Sequence, residues 1–337
     1  MKRWNVVITG FGSVGKQVAI LLEQRQSHYR EQYGVEVKLV GVARSSQGVY
    51  DAEGLTQSAL EAFGREKRWT DTPFTGTDFI TSCQADILIE TGPSQLETGG
   101  PGLTYIRQAL DQGMHAIAVS KGALVVDYAG LSALAKHRGV MLKISGATAA
   151  ALPTIDLLQY NLAGCQILAV EGIFTGTTNF VLSSMMEEGI SCEEAIARAQ
   201  QMGIAEPDPS FDIDGWDTAC KVTILANAAF GANLKLTDLS RTSVRDVTEE
   251  QIAEWKRAGK SPKLVGRIRR TTDGVYASVE LQAVELSHPF STVKGTTKAI
   301  RVETDVMGEL LVIGGKSDPM AAAAAALKDL EHIIRQP

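Results

Sequence analysis

The chain has 337 residues, enough for two domains with separate cores, and its 44% hydrophobic and 21% charged residues are the balance of an ordinary globular protein. The 33 Lys and Arg against 39 Asp and Glu leave a net charge of −6, which argues against nucleic acid or an anionic membrane as a main partner. No apolar run reaches the roughly 18–20 residues of a membrane span. The start of the chain runs straight into a strand and a glycine loop, leaving no room for a signal peptide. Cys83, Cys165, Cys192 and Cys220 form no Cys-x-x-Cys and have no clustered histidines, so they read as reduced core thiols of a cytoplasmic protein, with no metal site expected.

The Val-Val-Ile run of residues 4–9 predicts a buried strand, and Gly10-Phe11-Gly12-Ser13-Val14-Gly15 follows it. Val18, Ile20, Leu21 and Leu22 then give a helical pattern. Strand, Gly-x-Gly-x-x-Gly and helix is the context that a dinucleotide fingerprint requires. Gly10 would make the tight turn, Gly12 would let a pyrophosphate approach, and Gly15 would let helix pack on strand, with the helix N-terminus donating N–H groups to the anion. A second strand spans residues 35–43. Where an NAD enzyme usually places an acid, Arg44-Ser45-Ser46 stands instead, a set suited to a 2′-phosphate, so NADP is expected ahead of NAD. Residues 85–90 form another buried strand, ending at Thr91-Gly92-Pro93. A helix over about 103–112 leads to a strand at 115–120, with Ser120 and Lys121 at its carboxyl end, the crevice side of a doubly wound sheet. A last strand at 140–145 closes this domain near residue 146.

Residues 146–158 read as an alanine-rich linker turning into a helix. A strand at 167–174 precedes a polar turn, Thr175-Gly176-Thr177-Thr178-Asn179. The N–H groups of Gly176 and Thr177 suit a carboxylate, and the two threonines equally suit helix capping. Residues 192–201 form a helix. Strands are expected at 265–269, 275–281, 300–304 and 310–313, making a sheet covered by helices on one side, and residues 321–330 form a terminal helix. His288, before Pro289 in a turn, reads as structural.

The segment from Gly203 to Lys221 is the most distinctive. It sets five acids into twelve positions, Glu206 to Asp217, and then a lysine. Pro207, Pro209 and Gly215 keep its first part out of a helix. Asp214 is the expected N-cap of the helix that follows. Asp217 and Lys221 are four apart and share a helix face. Alone, such a pair is a solvated ion pair worth about 0.3–0.5 kcal/mol. On this apolar helix, beside Ala219, Cys220, Val222 and Leu225, it suits a cleft that handles a proton.

Together these features resemble homoserine dehydrogenase. The likeness runs through the glycine loop, Ser120-Lys121-Gly122, Gly176-Thr177-Thr178-Asn179-Phe180 and His288-Pro289, and is most specific from Glu206 to Lys221. The resemblance implies interconversion of L-homoserine and L-aspartate 4-semialdehyde with NAD(P). It implies that Glu206 holds the substrate ammonium and that Gly176, Thr177 and Asp212 complete the substrate pocket. It further implies that Asp217 and Lys221 position the reacting oxygen and its proton, and that Lys121 orients nicotinamide and substrate. Gly10, Phe11, Gly12, Ser13, Val14, Gly15, Arg44, Thr91, Gly92, Ser120 and Lys121 make up the expected cofactor set. The chain departs from the family at Ile204, usually tyrosine, at Ser145, often a metal-side glutamate, at Gly315-Lys316-Ser317, usually Gly-Ala-Gly, and at Ser120, usually asparagine. No regulatory domain is expected after the catalytic core.

The expected fold is α/β. A Rossmann-type doubly wound sheet occupies residues 1–146 and is completed by about 305–337. An α+β catalytic and dimerisation domain occupies 147–304, and the resemblance and its sheet point to a homodimer. The competing readings are a related dehydrogenase of another small amino or hydroxy acid, and a non-catalytic nucleotide-binding sensor.

Overall fold

The structure is a computed structural model that describes residues 1–65 and 74–336. It divides into two compact units, Met1–Ala150 with Asp318–Pro337, and Ala151–Ser317.

The first unit is built on a six-stranded sheet of β1 (Lys2–Thr9), β2 (Val35–Ala43), β3 (Gly48–Tyr50), β4 (Ile87–Glu90), β5 (His115–Ala118) and β6 (Leu142–Lys143), in the order β3-β2-β1-β4-β5-β6. All neighbours are parallel except the β2–β3 pair. A parallel sheet is buried on both faces, so its strands are continuous apolar runs: Ile87, Leu88 and Ile89 are fully buried. The order reverses between β1 and β4, which sets a ligand crevice at their carboxyl ends. The helices are α1 (Ser13–Gln24), α2 (Gln26–Tyr33), α3 (Gln57–Arg65), α4 (Gly76–Ser82), α5 (Gly100–Asp111), α6 (Gly122–Arg138) and the short α7 (Ser145–Thr148).

The C-terminal helix, Pro319–Ile334, belongs to this unit and packs on α1. Its Ala323, Ala326, Leu327, Leu330 and Ile333 join Val6, Ile8, Val18 and Leu22 in one core. The alanines let the two helices approach closely, and burying Leu330 alone contributes about 1.5–3 kcal/mol. Asp329, 1% exposed, anchors the helix by accepting the Ser145 N–H at 2.9 Å and the Ser145 hydroxyl at 2.7 Å.

The second unit holds a sheet of β7 (Ile167–Ile173), β8 (Ser240–Arg241), β9 (Lys260–Thr271), β10 (Gly274–Glu285), β11 (Lys298–Thr304) and β12 (Glu309–Gly314), in the order β12-β11-β7-β9-β10-β8. Its pairs are antiparallel apart from β8 and β10. Its helices are α8 (Thr154–Asp156), α9 (Gly176–Glu188), α10 (Cys192–Gln201), α11 (Ser210–Ile213), α12 (Trp216–Phe230) and α13 (Glu249–Arg257). Helices α9, α12 and α13 pack against β9. Gly266 permits that approach, because an ideal Cβ there would stand 2.5 Å from Val222 Cγ2 and 3.0 Å from the Phe174 ring. Glu171, Arg267 and Arg301 stand opposite one another across β7, β9 and β11. They pair at 2.9 and 3.0 Å, which marks a polar face of the sheet.

The stretch 146–158 carries the chain from the first unit to the second, which divide after Ala150, and turns into helix as expected, through α8 and a π-helical turn, Leu157–Asn161; only α7 was not foreseen. Three expectations need correction. Residues 305–317 do not complete the first unit: β12 pairs with β11, so backbone hydrogen bonding keeps them in the second sheet. The polar turn at 175–179 is the first turn of α9, which starts at Gly176. Asp214 does not cap α12. Gly215 does, with φ 77°, a left-handed conformation that aspartate adopts at a cost and glycine does not.

Candidate active site

In the first unit the glycine loop and the ends of β4 and β5 pack as one corner. Gly10 has φ 83°, and an ideal Cβ on it would lie 2.3 Å from the Gly92 nitrogen. A Cβ on Gly15 would meet the Gly10 carbonyl at 2.6 Å. The Thr91 hydroxyl donates to the Gly10 carbonyl at 2.6 Å and closes the corner. Gly12 differs: a Cβ there meets nothing within 4 Å, so the space over it is open. Helix α1 has neither a side-chain cap nor an acid in its first turn, and Ser13 is exposed. Its first N–H groups therefore suit a phosphate oxygen. Val14 is half-buried, and Phe11 is buried against the Phe63 ring at 5.9 Å.

Arg44 leaves the end of β2. Its guanidinium lies 4.3 Å over the Phe63 ring and donates to the Phe63 carbonyl at 2.5 Å. Ser45 and Ser46 are exposed beside it. A cleft lined by Phe11, Lys16, Ala19, Ile20, Leu60, Glu61 and Arg65 adds Lys16 near the glycine loop, with Arg65 paired to Glu61 at 3.2 Å.

Lys121 follows β5, and its N–H donates to the Ser94 hydroxyl at 2.9 Å. Just before it, Ser120 donates at 2.5 Å to Glu90, a carboxyl 1% exposed that also accepts the Gly92 N–H at 2.7 Å. Glu90 thus ties the ends of β4 and β5 together. Burial pushes its carboxyl above the usual range, against the pull of Ser120 and Gly92. Sequence reasoning passed over Glu90. Its signal was an acid closing the run Ile87-Leu88-Ile89.

In the second unit the structure brings Asp217 and Lys221 together at 2.6 Å, with side chains 9% and 12% exposed. This is not the solvated pair of an isolated helix. The Thr175 hydroxyl donates to the same Asp217 Oδ2 at 2.7 Å and lies 2.9 Å from the Thr218 hydroxyl. The Lys221 ammonium also donates to the Phe174 carbonyl at 2.8 Å. An ammonium carries three donors, so one N–H of Lys221 remains beyond these two acceptors among the described residues. Thr175 and Thr218 were not foreseen, because their partners lie some forty residues away in sequence.

Gly176 and Thr177 open α9, next to Thr175, and the Thr177 hydroxyl donates to the Ile204 carbonyl at 3.4 Å. That contact joins α9 to the loop carrying Glu206, an exposed residue whose carbonyl accepts Gln200 Nε2 at 3.1 Å. Asp212 lies half-buried in α11, which packs on α9. The loop acids divide by role. Asp214 accepts Arg245 Nε at 3.1 Å and the Ser243 hydroxyl at 3.0 Å, and Arg245 holds its carboxyl below the usual range. Asp208 accepts the Ser210 N–H at 3.1 Å and is likewise lowered by Ser210. These two acids hold the loop together.

The family model for homoserine dehydrogenase matches residues 153–330, and the one for its NAD-binding domain matches residues 10–144. A homoserine dehydrogenase of Methanocaldococcus jannaschii is 35% identical over 98% of both chains. The chain belongs to the homoserine dehydrogenase family. It is an oxidoreductase that interconverts homoserine and aspartate semialdehyde with a nicotinamide cofactor. It is also similar to an NAD(+)-dependent homoserine dehydrogenase of Pseudomonas canavaninivorans, 32% identical over 99% of this chain and 97% of the relative. A crystal structure from Archaeoglobus fulgidus, 32% identical, matches with a TM-score of 0.89 over 99% of each chain. The homoserine dehydrogenase of Thiobacillus denitrificans, 28% identical, matches at 0.84 over 99% of this chain and 74% of its own.

Proposed function

We propose that the buried Asp217–Lys221 pair carries the proton chemistry of this homoserine dehydrogenase. The observation behind this reading is the Lys221 ammonium, held by Asp217 and the Phe174 carbonyl with a third N–H remaining. That donor meets the oxygen of L-aspartate 4-semialdehyde as negative charge develops on it, stabilises the charge and supplies the proton. In the reverse direction Lys221 starts as the neutral amine, takes the hydroxyl proton of L-homoserine and ends as the ammonium. Asp217 aims Lys221. Glu206 holds the substrate ammonium, the N–H groups of Gly176 and Thr177 hold its carboxylate, and Asp212 completes the pocket. Lys121 orients the reactants. When bound, the nicotinamide supplies or accepts the hydride.

The open space over Gly12 and the uncapped start of α1 fit a dinucleotide pyrophosphate. Gly10, Phe11, Ser13, Val14, Gly15, Thr91 and Gly92 shape that cradle, and Ser120 sets the strand end beside it. NADP is the preferred form, because Arg44 with Ser45 and Ser46 replaces the acid that holds an unphosphorylated ribose. The NAD(+)-dependent relative favours the opposite choice. L-Homoserine-dependent cofactor reduction, run with NADP and NAD in parallel on wild type and Arg44→Ala, decides between them. Loss of preference for NADP in the variant supports the reading, and an unchanged cofactor ratio removes it.

The edge strand β12 exposes Leu311 and Ile313 at 37% and 45%, beside Arg301. This open edge supports a homodimer. The buried thiols Cys83, Cys192 and Cys220 support a reducing, cytoplasmic setting.

A further inference from the structure

The second unit buries a lysine that none of these roles uses. Lys263, on β9, is 2% exposed. Its ammonium donates to Asn179 Oδ1 at 3.1 Å and to the Val293 carbonyl at 2.5 Å. Asn179, 1% exposed in the first turn of α9, donates in turn from Nδ2 to the carbonyls of Val293, Gly295 and Thr297 at 3.2, 3.0 and 3.0 Å. The Gly295 N–H donates to the Ser183 hydroxyl at 3.2 Å. Residues 293–297 are therefore tied along α9 by the helix's own side chains and by Lys263. Their Thr296 carbonyl faces the helix start, since an ideal Cβ on Gly176 would stand 2.8 Å from it.

A buried ammonium is an expensive way to fill this space. Apolar side chains of similar volume commonly pack at no loss of stability. Burial and the nearby Lys294 push Lys263 down to about 8, with Glu187 acting the other way. What a Met or Leu could not do is satisfy the carbonyls of an irregular segment that has no ladder partner among the described residues. Lys263 and Asn179 together fix where that segment lies, and so where the first peptide groups of α9 point.

We propose that Lys263, acting through Asn179 and residues 293–297, is a positioning residue for the carboxylate cradle at Gly176 and Thr177. The proposal rests on the assignment of that cradle. In Lys263→Met, KM for L-homoserine rises about tenfold, the loss expected from misaligning one charge-assisted hydrogen bond. Turnover at saturating substrate and calorimetric affinity for the nucleotide stay unchanged. Asn179→Asp keeps an oxygen facing Lys263 but removes the amide donors to Val293, Gly295 and Thr297. It gives the same KM rise, and it carries the test if Lys263→Met does not fold. Thr177→Pro reports on the cradle itself, because it removes one cradle N–H in the first turn of α9, where a helix tolerates proline. If folded Thr177→Pro raises KM while folded Lys263→Met and Asn179→Asp do not, the positioning role is overturned and the cradle stands. If all three leave KM unchanged, the cradle assignment falls with it. If Lys263→Met raises KM while Thr177→Pro does not, the route through the cradle is overturned.

Discussion

Thr175→Val removes one hydroxyl from the Asp217–Lys221 pair and little else. The hydroxyl is 4% exposed with its residue, donates to Asp217 Oδ2 at 2.7 Å, and has only one proton to give. The Thr218 hydroxyl 2.9 Å away must then donate to Thr175. Its removal costs Asp217 a hydrogen bond to a charged group, worth about 1.5–3 kcal/mol. If that bond serves to aim the carboxylate and Lys221, its loss appears in the transition state as roughly a 10–100-fold drop in kcat. The variant also strands the Thr218 hydroxyl, a further cost of about 1 kcal/mol in stability. The double variant Thr175→Val/Thr218→Val separates the effects. It removes both hydroxyls of that contact and recovers part of the stability, but not the turnover. Thr175→Ser keeps the donor and restores kcat. The assay is the steady-state rate of reduced-cofactor formation with saturating L-homoserine, alongside thermal melting. A folded Thr175→Val protein with wild-type kcat would refute the reasoning.

Gly12→Ala places a methyl group in the open space over the glycine loop, where it meets no protein atom within 4 Å. Stability should fall by only about 0.5–1 kcal/mol, the difference between glycine and alanine at an N-cap, while nucleotide affinity measured by calorimetry falls. Gly10→Ala puts its Cβ 2.3 Å from Gly92 nitrogen at φ 83°, and should lose both fold stability and binding. The Glu90 carboxyl is raised above 4.5 in the folded protein by burial. The folded state therefore binds more protons than the unfolded state once pH passes 4.5, and stability falls as pH rises from there through the folded value. Glu90→Gln removes that titration, so the difference in melting temperature between variant and wild type should grow in the variant's favour with rising pH. A constant difference would show that Glu90 has no raised titration.

Local patterns were readable where they sufficed to specify structure. The strand Val35–Ala43 and the helix Cys192–Gln201 match their expected spans. The first is an apolar run, and the second carries its own start signal in Ser191, whose side chain accepts the Glu194 N–H. Helix α13 announced itself with the same kind of signal, a capping box of Thr248 and Gln251, which went unread. Helix α2 had no apolar period to read. The acidic loop was legible as a motif but not in its division of labour. Nothing local says that Arg245, some thirty residues on, occupies Asp214. The same limit hid Thr175, Glu90 and Lys263. Their meaning lies in partners brought in by sheet pairing and helix packing, with no trace in the spacing of nearby residues.

The most direct test of the account is Lys221→Ala, measured for L-homoserine turnover and for nucleotide affinity on the same preparation. If Lys221 serves the reacting oxygen and the glycine loop holds the cofactor, as proposed, turnover is lost while nucleotide affinity is kept. Turnover retained at the wild-type rate would contradict it, and the Asp217–Lys221 pair would then be structural.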